Sequence, residues 1–357
     1  MSKKIAIFGC GQQGSCVAAI LTKQGHIVTC LDMSENNVPD GCEFEYCEFV
    51  QGDEDQWRIY SDFDWDAGWD LVVNALPSEI GTEVLSRALD AEIPGIVDVA
   101  FSMQNKSTFH ASAKSQGSVV IHDCGLAPGL PNLLIGHELV EAGGTLPYVN
   151  AYVGGVSQDP KMPYGYKVSW SLEDLYEEYV RVARFVEDHK IRTLHPIYSS
   201  PSTIIIEGVE FEAFVSDGLR SLLDYKDRIQ HMREYTLRYP GHLSAIHELL
   251  DAGDRDHFIK TIGEECQEGG DVVYLKVDFP GVQYTLKVES DKEQSAMTKT
   301  TAYACAAFCS LLLDDSEKID PGVWSCERLG EAGLTSYILE WLRNNAGFSF
   351  DVFRYSK

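Results

Sequence analysis

The sequence predicts an α/β protein: a parallel, doubly wound sheet at the N-terminus, followed by a second domain built on a sheet of a different kind. Three observations carry that prediction. The apolar stretch KKIAIF runs straight into Gly9, Gly11 and Gly14 in the spacing GxGxxG. Apolar strand-like segments then alternate with amphipathic stretches, the pattern of a sheet wound by crossover helices. From about residue 129 the texture changes, and STIIIEGVEFEAFV, DVVYLKVDF and VQYTLKVES show the two-residue alternation of antiparallel or mixed strands with one wet face.

Taken in order, KIAIF is the first strand and GQQG opens the first helix. In such a unit the first glycine permits the tight turn, the second lets the backbone approach a pyrophosphate, and the third lets helix pack on strand. HIVTCLD is the second strand and ends in Asp32. A carboxylate there can accept hydrogen bonds from both ribose hydroxyls of NAD and repels the 2′-phosphate of NADP, so the spacing predicts an NAD site. Ordinary alternatives are a plain βα turn for the glycines and a strand-end cap for Asp32.

An acidic, irregular stretch follows to about Trp69, containing VQGDEDQ and DFDWDAGWD, which must hold the third strand and an exposed helix or loop. Asp53 within it could approach an adenine or simply sit on the surface. WDLVVNALP is the next strand, ending in Asn74, Ala75, Leu76 and Pro77. GIVDVAF and SVVIHDCG follow, each after a helix. Ligands of doubly wound sheets lie outside the carboxyl ends of the strands. That rule sets Gln12 and Gln13, Asn74 to Pro77, Asp98 and Val99 with the segment to Phe101, and Asp123 to Gly125 at one rim with Gly9, Gly11 and Gly14. A helix begins near Pro131, and YVNAYVGGV reads as a strand. MTKTTAYACAAFCSLLL is a helix that could return to the first domain, and GLTSYILEWLRNNAG is a further amphipathic helix. The expected division is 1–128, 129–320 and a C-terminal helical segment 321–357 that could pack back on the first domain.

Composition narrows the partners. A formal charge of −26, from 55 acids against 29 bases, argues against nucleic acid or an anionic membrane and could steer a cationic substrate. The absence of an apolar run of about 18 residues and of a signal-peptide pattern leads to the expectation of a soluble, cytoplasmic protein. Ten cysteines form no CxxC pair and no zinc-like Cys/His spacing, so they read as buried free thiols, and no metal is expected.

Four clusters in the second half mix glycine, aromatic and charged residues beyond what core packing demands: DCGLAPGLPN (123–132), YKVSWSLEDLYEEY (166–179), SDGLRS (216–221) and TLRYPGH (236–242). With GCGQQG they resemble the saccharopine dehydrogenase family, and the DxGxxPGxxN, WSxxDLxEEY and TLRYPGH signatures look most like its lysine 6-dehydrogenase branch. The resemblance implies a Rossmann domain, a catalytic domain with a large mixed sheet, and a homodimer formed through that second domain. It also implies NAD-dependent oxidation of the ε-amino carbon of L-lysine. The imine is then hydrolysed, ammonia leaves, and the 6-semialdehyde cyclises to a piperideine carboxylate. Saccharopine and carboxynorspermidine reductases share the architecture, and a retired NAD-binding sensor is a further alternative.

Hydride leaves carbon only when the amine lone pair is free, and a lysine amine has a reference pKa of about 10.4, so a base near the nicotinamide is required. Asp123, at a strand end on the rim, is the first candidate, with capping of the glycine turn as its alternative. Asp98 reads as a cofactor or loop-ordering residue. His122, one residue before Asp123, reads as structural, and Lys167 as an exposed lysine of a YKVSW strand. A substrate carboxylate suits a planar guanidinium, which points to Arg220 and Arg238 unless they pair internally. Trp170 and Ser171 match the family's substrate-contacting segment, although Trp170 could equally be a core residue. At most one of Glu177 and Glu178 can face substrate from a helix, with Tyr179 beside them. His242 stands ahead of an apolar helix, whose N-terminus would lower its pKa and leave a neutral imidazole as proton relay or plain cap. Asn132 could cap the helix starting there.

Overall fold

The computed structural model describes residues 1–51, 57–77, 80–100 and 106–355; Asp53 and Phe101 lie outside them. The chain divides into two compact units, one of residues 1–133 and 301–346, the other of 134–300 and 347–357. The anticipated return of the C-terminal segment to the first domain holds for residues up to 346, but the return begins at 301 and residues 347–357 belong to the second unit. Gly322–Ser325 is a strand of the first unit and Asp351–Arg354 a strand of the second.

The first unit is a seven-stranded sheet. From one edge to the other it runs Gly322–Ser325, Val119–His122, Gly95–Asp98, Leu71–Asn74, Lys4–Phe8, Ile27–Asp32 and Glu43–Tyr46, with every neighbouring pair parallel. Strand order reverses beside Lys4–Phe8, which is the crevice where such sheets bind ligands. Register is level across that crevice: Phe8 pairs with Asn74, Asn74 with Asp98, Asp98 with His122, and His122 with Ser325. The strands are β-branched and apolar because both faces are covered, and Ile5, Ile7, Val72, Val97 and Ile121 are fully buried.

Under one face lies a knot of aromatic rings. Phe63 stands 5.3 Å from Phe8, 4.8 Å from Trp65 and 4.9 Å from Trp69, and Lys4 Nζ sits 4.2 Å over the Trp69 ring. The DFDWDAGWD stretch is therefore a loop, as expected, but one anchored to the sheet rather than wholly exposed. Its aromatic residues pack inward while intervening acids remain outside, and such edge and stacked pairs add to plain area burial. Ahead of it, Glu48–Gln51 and Trp57–Tyr60 form a two-stranded antiparallel pair.

The second unit carries a nine-stranded mixed sheet. Leu146–Ser157 and Ile229–Arg238 run parallel at its centre. The strands Asp271–Phe279, Val282–Glu289 and Asp351–Arg354 extend it on one side, each antiparallel to its neighbour. On the other side Ile229–Arg238 has two partners: its Met232 pairs with Val186 of Ala183–Glu187, and its last residues pair with Val209–Val215. Helices Leu172–Val180, His242–Ala252 and Arg255–Glu265 cover one face through Leu175, Tyr179, Ile246, Leu249, Phe258 and Ile262. YKVSW is not a strand. Val168 makes a single backbone bond to the Cys266 carbonyl, and the Lys167 amine donates to the Gln267 carbonyl.

Helix Ala296–Leu313 has the length and apolarity of a membrane span, but most of it is buried within the protein, as in the core helix of a globular unit. Its first turn is closed by the buried Asp271, whose carboxylate accepts from the Ala296 and Met297 N–H groups at 2.7 and 3.0 Å. Charge-assisted bonds at a helix N-terminus are among the stronger local interactions. Asp271→Ala should destabilise the protein by about 2 kcal/mol, read as a lower urea midpoint at unchanged m.

Candidate active site

In the first unit the glycine turn meets each requirement of a dinucleotide cradle. Gly9 has φ +93°, and a Cβ there would lie 2.8 Å from the Ala75 carbonyl oxygen. A Cβ at Gly14 would overlap the Gly9 carbonyl, so helix and strand touch at that point. Gly11, by contrast, has nothing within 4 Å of an added Cβ. That space lies at the N-terminus of helix Gln12–Lys23, of which Gly11 is the N-cap, where backbone N–H groups favour a phosphate. Gln12 is exposed, while Gln13 Oε1 is buried with no hydrogen-bond donor.

Asp32 closes the cradle from the second strand. Its Oδ2 accepts from the Cys10 N–H at 2.6 Å and its Oδ1 from the Ser34 N–H at 3.2 Å, which fixes the carboxylate against the turn. Along the rim, Asn74 Nδ2 donates to Asp98 Oδ1 at 2.8 Å, and the buried Lys106 amine is paired with Asp98 Oδ2. Asp98 also accepts from the Ala100 N–H at 3.0 Å, so it orders the chain leaving its strand through Val99. Ala75, Leu76 and Pro77 continue from Asn74, whose Oδ1 accepts weakly from the Leu76 N–H at 3.4 Å.

Asp123 follows the next strand end with φ +58°, a conformation that L-residues with side chains seldom adopt. Its Oδ2 lies 3.0 Å from His122 Nδ1, and both side chains are almost fully buried. Gly129, after the cis Ala127–Pro128 bond, donates its N–H to Asn132 Oδ1 at 3.2 Å, the helix-start role anticipated for Asn132. Asn132 Nδ2 in turn holds Glu327 Oε2 at 3.2 Å.

In the second unit, sequence-separated candidates come together. Glu234, Thr236 and Arg238 alternate along one strand and share one face. Glu178, on helix Leu172–Val180, accepts from Thr236 Oγ1 at 2.5 Å and from Arg238 Nη2 at 2.7 Å. Arg238 also donates from Nε to the Tyr179 hydroxyl at 3.3 Å and from Nη1 to the Leu237 carbonyl at 3.0 Å, and it lies over the Tyr166 ring. Trp170 Nε1 donates to the Tyr166 hydroxyl at 2.8 Å. His242 Nδ1 lies 2.6 Å from the Tyr164 carbonyl, so it carries the proton, and Nε2 accepts from the Tyr179 hydroxyl at 2.8 Å.

Both nitrogens of His242 are thus committed to the protein. Its pKa is pushed down to about 3, by burial first and by the Arg238 charge second, so the imidazole is neutral for a different reason than the helix terminus. Ser171 is a helix cap, accepting from the Asp174 N–H at 3.2 Å. The SDGLRS loop is anchored by Asp217, which takes both prongs of Arg184 at 2.8 Å. Within it Arg220 has φ +53°, and the hydroxyls of Ser216 and Ser221 are buried without partners.

Four important side chains escaped sequence reasoning. Glu234 carried a usable signal, the two-residue period ending at Arg238. Lys106, Glu327 and Tyr166 carried none, since nothing in a loop or short helix announces a buried ion pair or hydroxyl. Glu234 is fully enclosed, and burial, then Glu178 and Asp217, push its carboxyl up to about 8 against the opposing pull of Arg220.

Two outcomes follow. Gly11→Ala should fold normally yet weaken NADH binding at least tenfold by fluorescence titration, whereas Gly14→Ala should lose stability itself. The folded Glu234 binds its proton between about 4.5 and 8, where the unfolded chain releases it, so wild-type stability falls as pH rises through that window. Glu234→Gln should therefore raise Tm at pH 9 while leaving it nearly unchanged at pH 4.

The family model described as Saccharopine dehydrogenase C-terminal domain matches residues 125–348. Saccharopine dehydrogenase [NADP(+), L-glutamate-forming] of Schizosaccharomyces pombe is 24% identical over 258 residues, 65% of this chain and 52% of that protein. Its namesake from Saccharomyces cerevisiae is 26% identical over 198 residues, 52% of this chain and 43% of that protein. The chain thus spans about half the length of the curated relatives it matches. The solved apo histidine-tagged saccharopine dehydrogenase (L-Glu forming) from Saccharomyces cerevisiae superposes with a TM-score of 0.75 at 16% identity, covering 99% of this chain and 100% of that one, a likeness of fold. Since the matching segment takes in the turn from Gly125 onward and the whole Glu178–Arg238 network, and more than half of the chain, this protein belongs to the saccharopine dehydrogenase family.

Proposed function

We propose that this protein is an NAD-dependent amine dehydrogenase that oxidises the ε-amino carbon of L-lysine and releases ammonia. The observation that carries the reading is Asp123, an acid held in a strained conformation on the same rim as the glycine turn and Asp32. NAD, when bound, would supply the hydride acceptor. Gly9, Gly11 and Gly14 would hold its pyrophosphate and Asp32 its ribose hydroxyls, with Asn74, Asp98 and Val99 at the nicotinamide end.

Asp123 takes the proton that frees the amine lone pair, and afterwards activates the water that adds to the imine carbon. Because the neutral amine is the reactant, the rate rises with pH. Charge in the second unit supports a substrate with more ammonium than carboxylate groups. Every nitrogen of Arg238 already has a protein acceptor, and Asp217 occupies Arg184. We also propose a cytoplasmic homodimer.

The names of the two fungal relatives favour a second reading, oxidation of the secondary amine saccharopine with NADP. One assay separates the two: absorbance at 340 nm with L-lysine, saccharopine or carboxynorspermidine at pH 9, each with NAD and with NADP, and ammonia measured in parallel. NADH and ammonia from lysine alone is the expected result. Reduced cofactor from a secondary amine without ammonia would overturn it in favour of the second reading.

A further inference from the structure

We infer that Glu234 and Ser216 hold the α-ammonium group of the substrate, the amine that is not oxidised. The inference rests on the amino-acid substrate of the proposed function and names the residues of the second unit that recognise it. It begins where strand Ile229–Arg238 changes partners. Met232 pairs with Val186 of Ala183–Glu187, whereas Tyr235 pairs with Val215 of Val209–Val215. Glu234 stands at that fork. The Ser216 N–H donates to its carbonyl at 3.0 Å, which carries the antiparallel register one step past Val215 and Tyr235. Ser216 is thereby set directly opposite Glu234, on the same face.

The fork is built around this carboxyl. A Cβ at Gly218 would lie 1.5 Å from Glu234 Oε1, so the carboxyl occupies the space that any other residue at 218 would fill. Two further carboxylates stand near it, and each is bound by a cation. Asp217 takes Nε and Nη2 of Arg184 at 2.8 Å, and Glu178 takes Arg238 and Thr236. Glu234 is the third, and among the described residues no hydrogen-bond donor reaches its carboxyl; Arg220 acts on it through space. Glu234 and Ser216 are 9% and 5% exposed, and the Ser216 hydroxyl is buried without a partner. A carboxyl and a hydroxyl that face each other unbonded leave oxygens with no donor between them, which is uncommon in a folded interior. A primary ammonium supplies that donor, with three N–H groups to share between the two side chains.

The chemistry decides which amine it is. A carboxylate in contact with an amine favours the charged form, so the amine held here keeps its proton and has no free lone pair with which to expel hydride. It is therefore the α-ammonium, and the ε-amine is the one left to react. Without a ligand the carboxyl holds a proton up to about 8, because burial, then Glu178 and Asp217, outweigh Arg220. The charges around it are Glu178 from helix Leu172–Val180, Arg238 from its own strand, Asp217 and Arg220 from the loop, and Arg184 through Asp217. An arriving ammonium keeps its three hydrogens while the carboxylic acid gives its proton to solvent and becomes a carboxylate. Binding near pH 7 thus releases close to one proton, and it tightens as pH rises from 6 to 8.

The test is isothermal titration calorimetry on the full chain with NADH, using L-lysine, saccharopine, which keeps the lysine α-amine, and 6-aminohexanoate, the lysine skeleton without it. Heats compared in phosphate and Tris at pH 7 should show about one proton more released by wild type than by Glu234→Gln for whichever α-amino acid binds. The affinity for that amino acid should fall at least tenfold in Glu234→Gln and at least threefold in Ser216→Ala. 6-Aminohexanoate should bind wild type at least tenfold more weakly than the α-amino acid, and the variants no more weakly than wild type. Ser216→Ala removes a hydroxyl that has no protein partner, so its Tm should not fall and its lost affinity is not a folding defect. Oxidation is not read, so a protein that binds saccharopine and ignores lysine overturns the proposed function and leaves this inference standing. Binding of neither amino acid, an unchanged proton count in Glu234→Gln, or an equal loss of affinity for 6-aminohexanoate would overturn the inference itself.

Discussion

Level register across the first sheet is the constraint from which the cofactor-side chemistry follows. Phe8, Asn74, Asp98, His122 and Ser325 occupy one row, so each loop leaving that row starts at the same height beside the glycine turn. A shift of one residue in any strand would exchange its two faces, sending Asn74 or Asp98 into the hydrocarbon that Val73 or Val97 now fills. Apolar residues on both faces make that exchange costly. The polar row is therefore secured by its neighbours: the fully buried Val73 and Val97 hold Asn74 and Asp98 in place, and the Asn74–Asp98–Lys106 chain then satisfies charges that could not otherwise remain in the interior.

The second unit handles its buried polarity differently. Its network has a direction: guanidinium to phenol, phenol to imidazole, imidazole to the Tyr164 carbonyl. Each donor has one acceptor, so rotating any member leaves a buried group unpaired, and such networks define a single arrangement more than they add net stability. The SDGLRS loop is tied to the same strand, where the Ser216 N–H donates to the Glu234 carbonyl at 3.0 Å.

Much of this was legible from residue order. Periodicity reveals the strands that have one wet face, and glycine spacing reveals the cradle because three separate steric demands fall at fixed offsets. The third strand, Glu43–Tyr46, stayed unplaced because two of its four residues are acids, and the aromatic knot stayed hidden because acids dominate DFDWDAGWD by count, although Phe63 and Trp69 are buried and Trp65 packs against them. Arg238 was visible, but its neutralisation was not: Glu178 lies about 60 residues away, and pairing at that range follows from topology alone. Nor does sequence alternation warn of a reversal such as the one at Asp123, since only a backbone angle distinguishes it from an ordinary strand end.

The threading of the two units through each other's sequence has a consequence for synthesis. The first unit waits for Gly322–Ser325 to finish its sheet edge, and the second waits for Asp351–Arg354 to finish its own. A chain emerging from the ribosome cannot complete the first sheet before residue 325 or the second before residue 354, so both edges stay open to wrong partners while the residues ahead of them are made. The strong negative charge of the chain, by keeping unfinished copies apart, serves this architecture most during that interval.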